Sequence, residues 1–185
     1  AIGAKLNFER GNKNNSWESK GYKKTWAEAA YYFFPKDFLT MRLGFNLRDQ
    51  KEWLKWIDAN HLAAYDATEK FLSFNLNYFK GNKHEIRLKG QFVALNAINP
   101  VSLISDENGY LTQSDKIVNS FNVGEAAFQI RYKYELAPLS NLYIVYSQGG
   151  SIYEENIDSD SSSIIEDSWN NPSGKIFAIK LRLRF

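Results

Sequence analysis

The segment FAIKLRLRF, residues 177–185, decides the fold class of this chain. Apolar residues occupy every second position along it. Successive side chains of a β-strand point to opposite faces, so this alternation predicts a strand with one apolar and one polar face. A strand of this kind that ends on phenylalanine is typical of the closing strand of an outer-membrane β-barrel, where it acts as an insertion signal. The predicted signal residues are Phe177, Ile179, Leu181, Leu183 and Phe185.

The same period of two recurs along the chain. It predicts strands at residues 2–9, 39–48, 72–78, 85–94 and 125–134, with less regular ones near residues 26–34 and 142–147. With the last segment this gives about eight strands, each close to the roughly 9–11 residues that a tilted membrane strand requires. The predicted fold is therefore all-β: one antiparallel transmembrane β-barrel over residues 1–185, or the C-terminal part of a larger barrel.

Short and long connections alternate between these strands. Short turns are predicted at residues 35–37, 80–83 and 137–140, and long polar loops at residues 11–25, 49–69, 99–122 and 148–173. Outer-membrane barrels have short periplasmic turns and longer extracellular loops. We therefore expect a location in the outer membrane, with the long loops outside the cell and the C-terminus in the periplasm.

The composition is consistent with this class and excludes others. The chain contains no apolar run near the roughly 20 residues that a membrane helix needs, and 16% of its residues are aromatic. It has no cysteine, which rules out disulfide and thiolate chemistry, and its net charge of +2 is too small to indicate a nucleic-acid partner.

The predicted polar face carries more cations than anions. The interior of an eight-stranded barrel is filled by its own side chains. Each unpaired charge buried there would reduce the stability of the fold by several kcal/mol. The pattern therefore favours a wider, hydrated lumen, with an acidic plug or partner chain as the alternative. The predicted lumen-lining cations are Lys5, Arg42, Arg48, Arg87, Lys89, Arg131, Lys133, Lys180, Arg182 and Arg184, against Glu9, Glu28, Glu85, Glu125 and Glu135.

Catalytic and metal chemistry have weaker signals. His61 is expected in a long loop and His84 at a short turn, so the two should lie at opposite ends of the barrel. No serine is next to either histidine in the sequence, and no nucleophile elbow is present. We predict no catalytic residue, no cofactor and no metal site. The apolar segment at residues 53–57 is consistent with a strand extension, a lid, a docking patch or packing within the rim.

Two segments resemble a known family. The sequences YELAPLSNLYIVYSQ at residues 134–148 and KHEIRLK at residues 83–89 are similar to the C-terminal barrel of a large Gram-negative envelope family common in Bacteroidetes. Its members carry an N-terminal module like a family-nine carbohydrate-binding domain, followed by a long barrel of uncharacterised function. The resemblance covers about residues 83–185. It implies that this chain is the C-terminal part of a larger barrel, and it transfers no catalytic residue.

Three functional hypotheses follow. The first is passage or binding of an anionic or sugar-like solute through the basic lumen. The second is a non-transport role as a membrane anchor or component of an envelope complex, and the third is a surface enzyme. The expected partners are outer-membrane lipid, the barrel-assembly machinery during insertion and an envelope protein.

Overall fold

The computed structural model of the protein describes residues 2–15, 18–155 and 160–184. These residues confirm the all-β prediction, because they form a single antiparallel sheet of nine strands with one helix, α1 (Ser161–Asn170). The strands are β1 (Ile2–Asn15), β2 (Glu18–Lys36), β3 (Leu39–Asp58), β4 (His61–Lys80), β5 (His84–Ser105), β6 (Leu111–Gln113), β7 (Phe121–Ala137), β8 (Ser140–Glu155) and β9 (Pro172–Arg182).

The sheet is a meander in which each long strand pairs with the next long one along the chain. The spatial order is β1-β2-β3-β4-β5-β7-β8-β9, and the three-residue β6 pairs with β5. Among the described residues, β1 pairs with β2 alone and β9 with β8 alone. The described part of the chain therefore has two sheet edges.

The pairing register keeps the two predicted faces apart. Leu43 of β3 lies opposite Tyr31 on one side and Phe74 on the other, while the neighbouring Arg42 lies opposite Tyr32 and Asn75. Directly opposed residues in an antiparallel sheet project from the same face. The sheet therefore has an apolar face, which contains Leu43, and a polar face, which contains Arg42.

The strands are longer than predicted, and all four of the predicted long loops are partly strand. Apart from the three-residue β6, strand lengths run from 11 residues in β9 to 22 in β5. The predicted loop at residues 49–69 is instead a continuation of β3 and β4, joined by a turn at Ala59 and Asn60. Pairing continues here because aromatic side chains pack between the strands, among them Trp53 opposite Tyr65.

Three short turns define one end of the sheet, called here the turn end. They lie at residues 37–38, 81–83 and 138–139, as the sequence predicted. Gly81 has a φ of 57°, a left-handed conformation that glycine adopts without a steric penalty. The opposite end, called the far end, contains the β3–β4 turn, the segment that carries β6, and α1.

The helix α1 replaces part of the predicted loop at residues 148–173. Asp160 caps its N-terminus by accepting hydrogen bonds from the backbone N–H groups of Ser162 and Ser163, at 2.9 and 2.8 Å. These bonds lower the pKa of Asp160 to about 2. Ser162 and Ser163, which fall within the predicted loop at residues 148–173, thus belong to the first helical turn. No helix within the described ranges has both the length and the hydropathy to cross a bilayer.

The apolar face holds α1 at the far end of β5, β7 and β8. The Trp169 ring centroid lies 6.1 Å from that of Phe92 and 5.9 Å from that of Phe128. Gln148 donates a hydrogen bond from Nε2 to the Trp169 carbonyl at 2.9 Å. Alternation along the strands could not predict where this helix packs, because its position depends on which strands are neighbours and on the part of the apolar face that they form together.

The predicted insertion-signal residues lie mainly on β9. Phe177, Ile179 and Leu181 project from the apolar face opposite residues of β8, and Leu181 is 56% exposed. Leu183 follows the end of β9, and Phe185 lies outside the described residues. An insertion role for this set stays a prediction.

Replacing Gly150 with alanine should displace α1. A Cβ at this position would collide with the Ser168 carbonyl oxygen and lie 2.9 Å from the Asn171 carbonyl oxygen. These are backbone atoms, so the helix itself must shift, at a cost of about 1–3 kcal/mol. We expect faster hydrogen exchange of the amides of residues 161–170. Gly174→Ala is the matched control, because its Cβ meets no atom within 4 Å, and equal exchange in both variants would contradict the prediction.

Candidate functional site: the basic polar face

The polar face brings most of the predicted lumen-lining cations together. Adjacent strands align them in rows, of which one joins Arg87 to Arg131 and another joins Lys133 to Lys180 through Tyr143. Arg184 differs, because it follows the end of β9 and its backbone N–H donates to Ser140 Oγ at 3.1 Å. The register places on the polar face Lys5, Arg42, Arg48, Arg87, Lys89, Arg131, Lys133, Lys180 and Arg182.

Glu85 forms ion pairs with two arginines at once. They are Arg87 on its own strand and Arg131 on β7, where Arg131 Nη2 lies 3.0 Å from Glu85 Oε1. Glu85 is only 8% exposed, so its carboxylate is largely removed from water. A buried carboxylate requires charge partners of this kind. The cluster therefore holds together β5 and β7 near the turn end rather than presenting two free cations.

Other cations of the polar face are also engaged. Lys5 Nζ lies 3.1 Å from Glu28 Oε2, and Arg48 Nη1 lies 3.4 Å from Glu69 Oε2. Arg42 Nε donates to the Tyr32 hydroxyl at 3.4 Å. Glu69 also lies on the polar face, but it is missing from the predicted acids because the predicted loop at residues 49–69 contains it. Its every-second-residue spacing from Ser73 and Asn75 was the signal that could have identified it.

Four cations of the polar face have no ion-pair partner among the described residues. They are Lys89, Lys133, Lys180 and Arg182. They lie on β5, β7 and β9, towards one edge of the sheet. The predicted lumen-lining cations of the polar face thus fall into two groups. Those on β1–β4, and the two arginines beside Glu85, are held by other side chains, whereas Lys89, Lys133, Lys180 and Arg182, the free cations, form no ion pair with a described residue.

A groove crosses the polar face beside these free cations. It has a volume of about 870 Å³ and extends over β4, β5, β7, β8 and β9. Lys89 and Gln91 of β5, and Gln129 of β7, contribute side chains to it. Sequence alternation placed the lysine on this face, but only the strand order places it within one groove with residues from four other strands.

A packed aromatic cluster closes the polar side of the far end. Trp53, Tyr65 and Phe121 have ring centroids 5.1–6.3 Å apart, and Lys55 Nζ lies 3.8 Å above the Phe121 ring. Burial raises the pKa of Tyr65 to about 12. Among the interpretations left open for residues 53–57, the structure therefore shows a strand extension that packs within the rim.

The two histidines lie at opposite ends of the sheet, His61 at the start of β4 and His84 at the start of β5, as expected. At the turn end, His84 Nδ1 lies 2.7 Å from the Tyr132 hydroxyl. At the far end, His61 Nε2 lies 2.8 Å from Ser102 Oγ, a pairing that sequence adjacency could not show.

The His61–Ser102 pair has the order of groups found in acyl-transfer triads, with Asp58 as the acid. However, His61 Nδ1 is 3.8 Å from Asp58 Oδ1, which is too long for a hydrogen bond. His61 and Ser102 are 3% and 8% exposed, which leaves a substrate little access to the hydroxyl. The pair is placed to join β4 to β5. Within the described residues, no group of three or more His, Asp or Glu side chains could hold a metal ion.

Comparison with protein-family models gives no match for this chain. Comparison with curated protein sequences gives no match either. The resemblance of residues 83–185 to the envelope-family barrel therefore stays a prediction.

Replacing Glu85 with glutamine should destabilise the sheet. The change leaves Arg87 and Arg131 without their shared anion, and we expect a loss of about 1–3 kcal/mol in the free energy of unfolding. Glu69→Gln is the matched control, since the Arg48–Glu69 pair is longer and about a third exposed and should contribute less than about 1 kcal/mol. Denaturant unfolding measures both, and a larger loss in the control would contradict the assignment.

Proposed function

We propose that this chain forms part of the wall of a β-barrel in the outer membrane of Gram-negative bacteria. Its apolar face contacts lipid, and its basic polar face lines a water-filled lumen that binds or passes an anionic or sugar-like solute. The observation that carries the proposal is the exposure of the apolar face: Leu43, Phe45 and Leu72 are 47%, 42% and 42% exposed. A contiguous apolar surface of this kind is unfavourable in water and is required of a barrel wall in lipid.

The dimensions and the aromatic residues support the same assignment. The apolar series from Leu39 to Leu47 covers about 26 Å of strand, so after strand tilt it approaches the apolar band of about 25 Å in such barrels. At the turn end, Phe38 contacts Tyr78 edge to face. Aromatic rings at this level suit a membrane interface.

Barrel closure is part of the proposal. Both described edge strands are largely exposed, with Leu6 of β1 81% and Phe177 of β9 67% exposed. Unpaired strand edges do not occur in the hydrocarbon region of a membrane. We therefore propose that further strands connect β9 to β1 in a larger barrel, in agreement with the resemblance to the envelope family. A larger barrel also accommodates the groove, which the filled interior of an eight-stranded barrel would not.

The second candidate is a membrane anchor or a component of an envelope complex. The ion pairs of Glu28, Glu69 and Glu85 favour it, because they engage four of the predicted lumen cations and cancel three positive charges. A weaker fixed positive field is a poorer attractor for anions. Single-channel conductance of the complete protein separates the candidates, since an open barrel conducts and an anchor with a blocked lumen does not.

A charge on the apolar face should cost more than one on the polar face. We expect Leu43→Arg to reduce the free energy of unfolding in lipid vesicles by about 2–4 kcal/mol, because Leu43 lies in the middle of the apolar series. Glu125→Arg places the same side chain at an exposed position of the polar face and should cost less than about 1 kcal/mol. Similar losses for the two variants would refute the assignment of faces.

The free cations should set the ion preference of an open barrel. We expect the complete protein to prefer chloride over potassium in low salt, and Lys89→Gln combined with Lys180→Gln to reduce this preference. The control combines Lys70→Gln with Lys175→Gln, which removes two charges from positions aligned with the apolar face. Reversal potentials measure the effect, which should vanish near 1 M salt, where the Debye length is about 3 Å. An equal effect in the control would contradict a role of these particular lysines.

A further inference from the structure

The groove on the polar face has features of a binding site that go beyond a general basic field. It lies where β4, β5, β7, β8 and β9 run side by side, and its volume of about 870 Å³ is within the usual range of about 300–1,000 Å³ for small-molecule sites. Gly174 and Ile176 of β9 line it, whereas Lys175 between them does not. Nine of the fourteen lining residues, among them Asn75, Lys89 and Gln129, lie on the polar face, and four, among them Phe74 and Gln148, lie on the apolar face. The groove therefore opens mainly on the polar face.

Five polar side chains that β4, β5, β7 and β8 contribute to the groove have no hydrogen-bond partner among the described residues. Elsewhere on this face amides are engaged, as when Asn77 donates to Thr40 Oγ1 at 3.1 Å or Asn7 to Glu28 at 3.1 Å. These five make no hydrogen bond to any described residue, so all their donors and acceptors are available to a ligand, whereas Gln148, which also lines the groove, donates to the Trp169 carbonyl. The five are Asn75, Lys89, Gln91, Gln129 and Ser147.

The floor of the groove consists of small residues that the fold does not require to be small. Ala127, Gly149 and Gly174 lie in one row across β7, β8 and β9. A Cβ at Gly174 would meet no atom within 4 Å, and one at Gly149 would meet only the Ala126 carbonyl oxygen, at 3.7 Å. At Gly90 and Gly124, by contrast, a Cβ would collide with side chains of this protein. The space above the floor is therefore open to a ligand.

The charges select among polar ligands. Lys89 is the charged residue that lines the groove, and it has no ion-pair partner among the described residues. Arg87 and Arg131, one row away, are held by Glu85. Phosphate sites usually present guanidinium forks or clustered backbone N–H groups. Amides with a single lysine suit hydroxyl groups together with one carboxylate.

We propose that this groove is a binding subsite for a saccharide unit that carries a carboxylate, that is, a uronic acid residue of an oligosaccharide. Asn75, Gln91 and Gln129 donate to and accept from its hydroxyl groups, and Lys89 pairs with its carboxylate. The small residues of the floor admit the sugar ring. This inference rests on the proposed function, because it places the subsite on the lumen wall.

The test uses the full-length protein purified in detergent and titrated calorimetrically with trigalacturonate, with neutral galactotriose and with inorganic phosphate. We expect trigalacturonate to bind about tenfold more tightly than galactotriose, the effect of about one charge-assisted hydrogen bond. Lys89→Gln should remove this preference. Lys133→Gln is the matched control, because it removes another unpaired cation of the polar face outside this groove. An equal loss in both variants, or phosphate binding as tight as that of trigalacturonate, would overturn the subsite.

A groove-filling variant tests the location directly. Gly174→Leu adds a side chain to the open space and should weaken binding of both oligosaccharides at least about tenfold, while the heat-modifiable migration of a folded barrel is retained. If that variant does not fold, Gln129→Leu at an exposed position without hydrogen bonds serves instead. Unchanged binding in a folded groove variant would overturn the subsite.

The two proposals fail in different ways. If the faces respond as predicted to Leu43→Arg and Glu125→Arg but the groove variants bind both oligosaccharides unchanged, the subsite is wrong and the barrel wall stands. If the groove variants lose binding but the two arginine variants are equally stable in lipid, the subsite stands and the membrane assignment is wrong.

Discussion

The pairing register of the long strands is the constraint on which the rest of the structure depends. Between β3 and β4 it runs without a shift from the pair Leu39 and Tyr78 to the pair Gln50 and Ala67. A slip of one residue would transfer every side chain of a strand to the other face. It would place Arg42 beside Phe74 and bring Leu43 among the charges. The separate apolar and polar faces, and every site on them, exist because this register is maintained across the sheet.

Given that register, electrostatics determines which cations remain available. Glu85 pairs with Arg87 on its own strand and with Arg131 on the next strand. Both arginines therefore stabilise strand pairing and are not available to a solute. Lys89, two residues beyond Arg87 on the same face, has no such acid and lies at the groove. Positive charge on the polar face therefore has two roles. One part stabilises strand pairing, and the other is available to a solute.

Departures from the register shape the far end. A bulge separates Gln50 from Trp53 on β3, with Glu52 at a φ of 58°, and another lies between Ala64 and Asp66 on β4. An inserted residue changes which side chains face the partner strand, and here it brings Trp53, opposite Tyr65, into the cluster with Phe121. The alternation in the sequence is interrupted at the same places. This interruption is why residues 49–69 were predicted as a loop although they form a hairpin.

By itself the sequence determined the strands, their faces and the three short turns, because the alternation of apolar and polar residues is a local property that strand geometry imposes directly. It also placed nine of the ten predicted lumen cations on one face. It could not determine that Glu85 serves two arginines, that Ser102 meets His61, or that Asn75, Lys89 and Gln129 share a groove, since these contacts join residues up to 54 positions apart and depend on which strands are neighbours. The position of α1 was likewise decided only by tertiary structure. Its backbone approaches the sheet at Gly124 and Gly150, and two glycines on different strands form a docking surface only once pairing has brought them side by side.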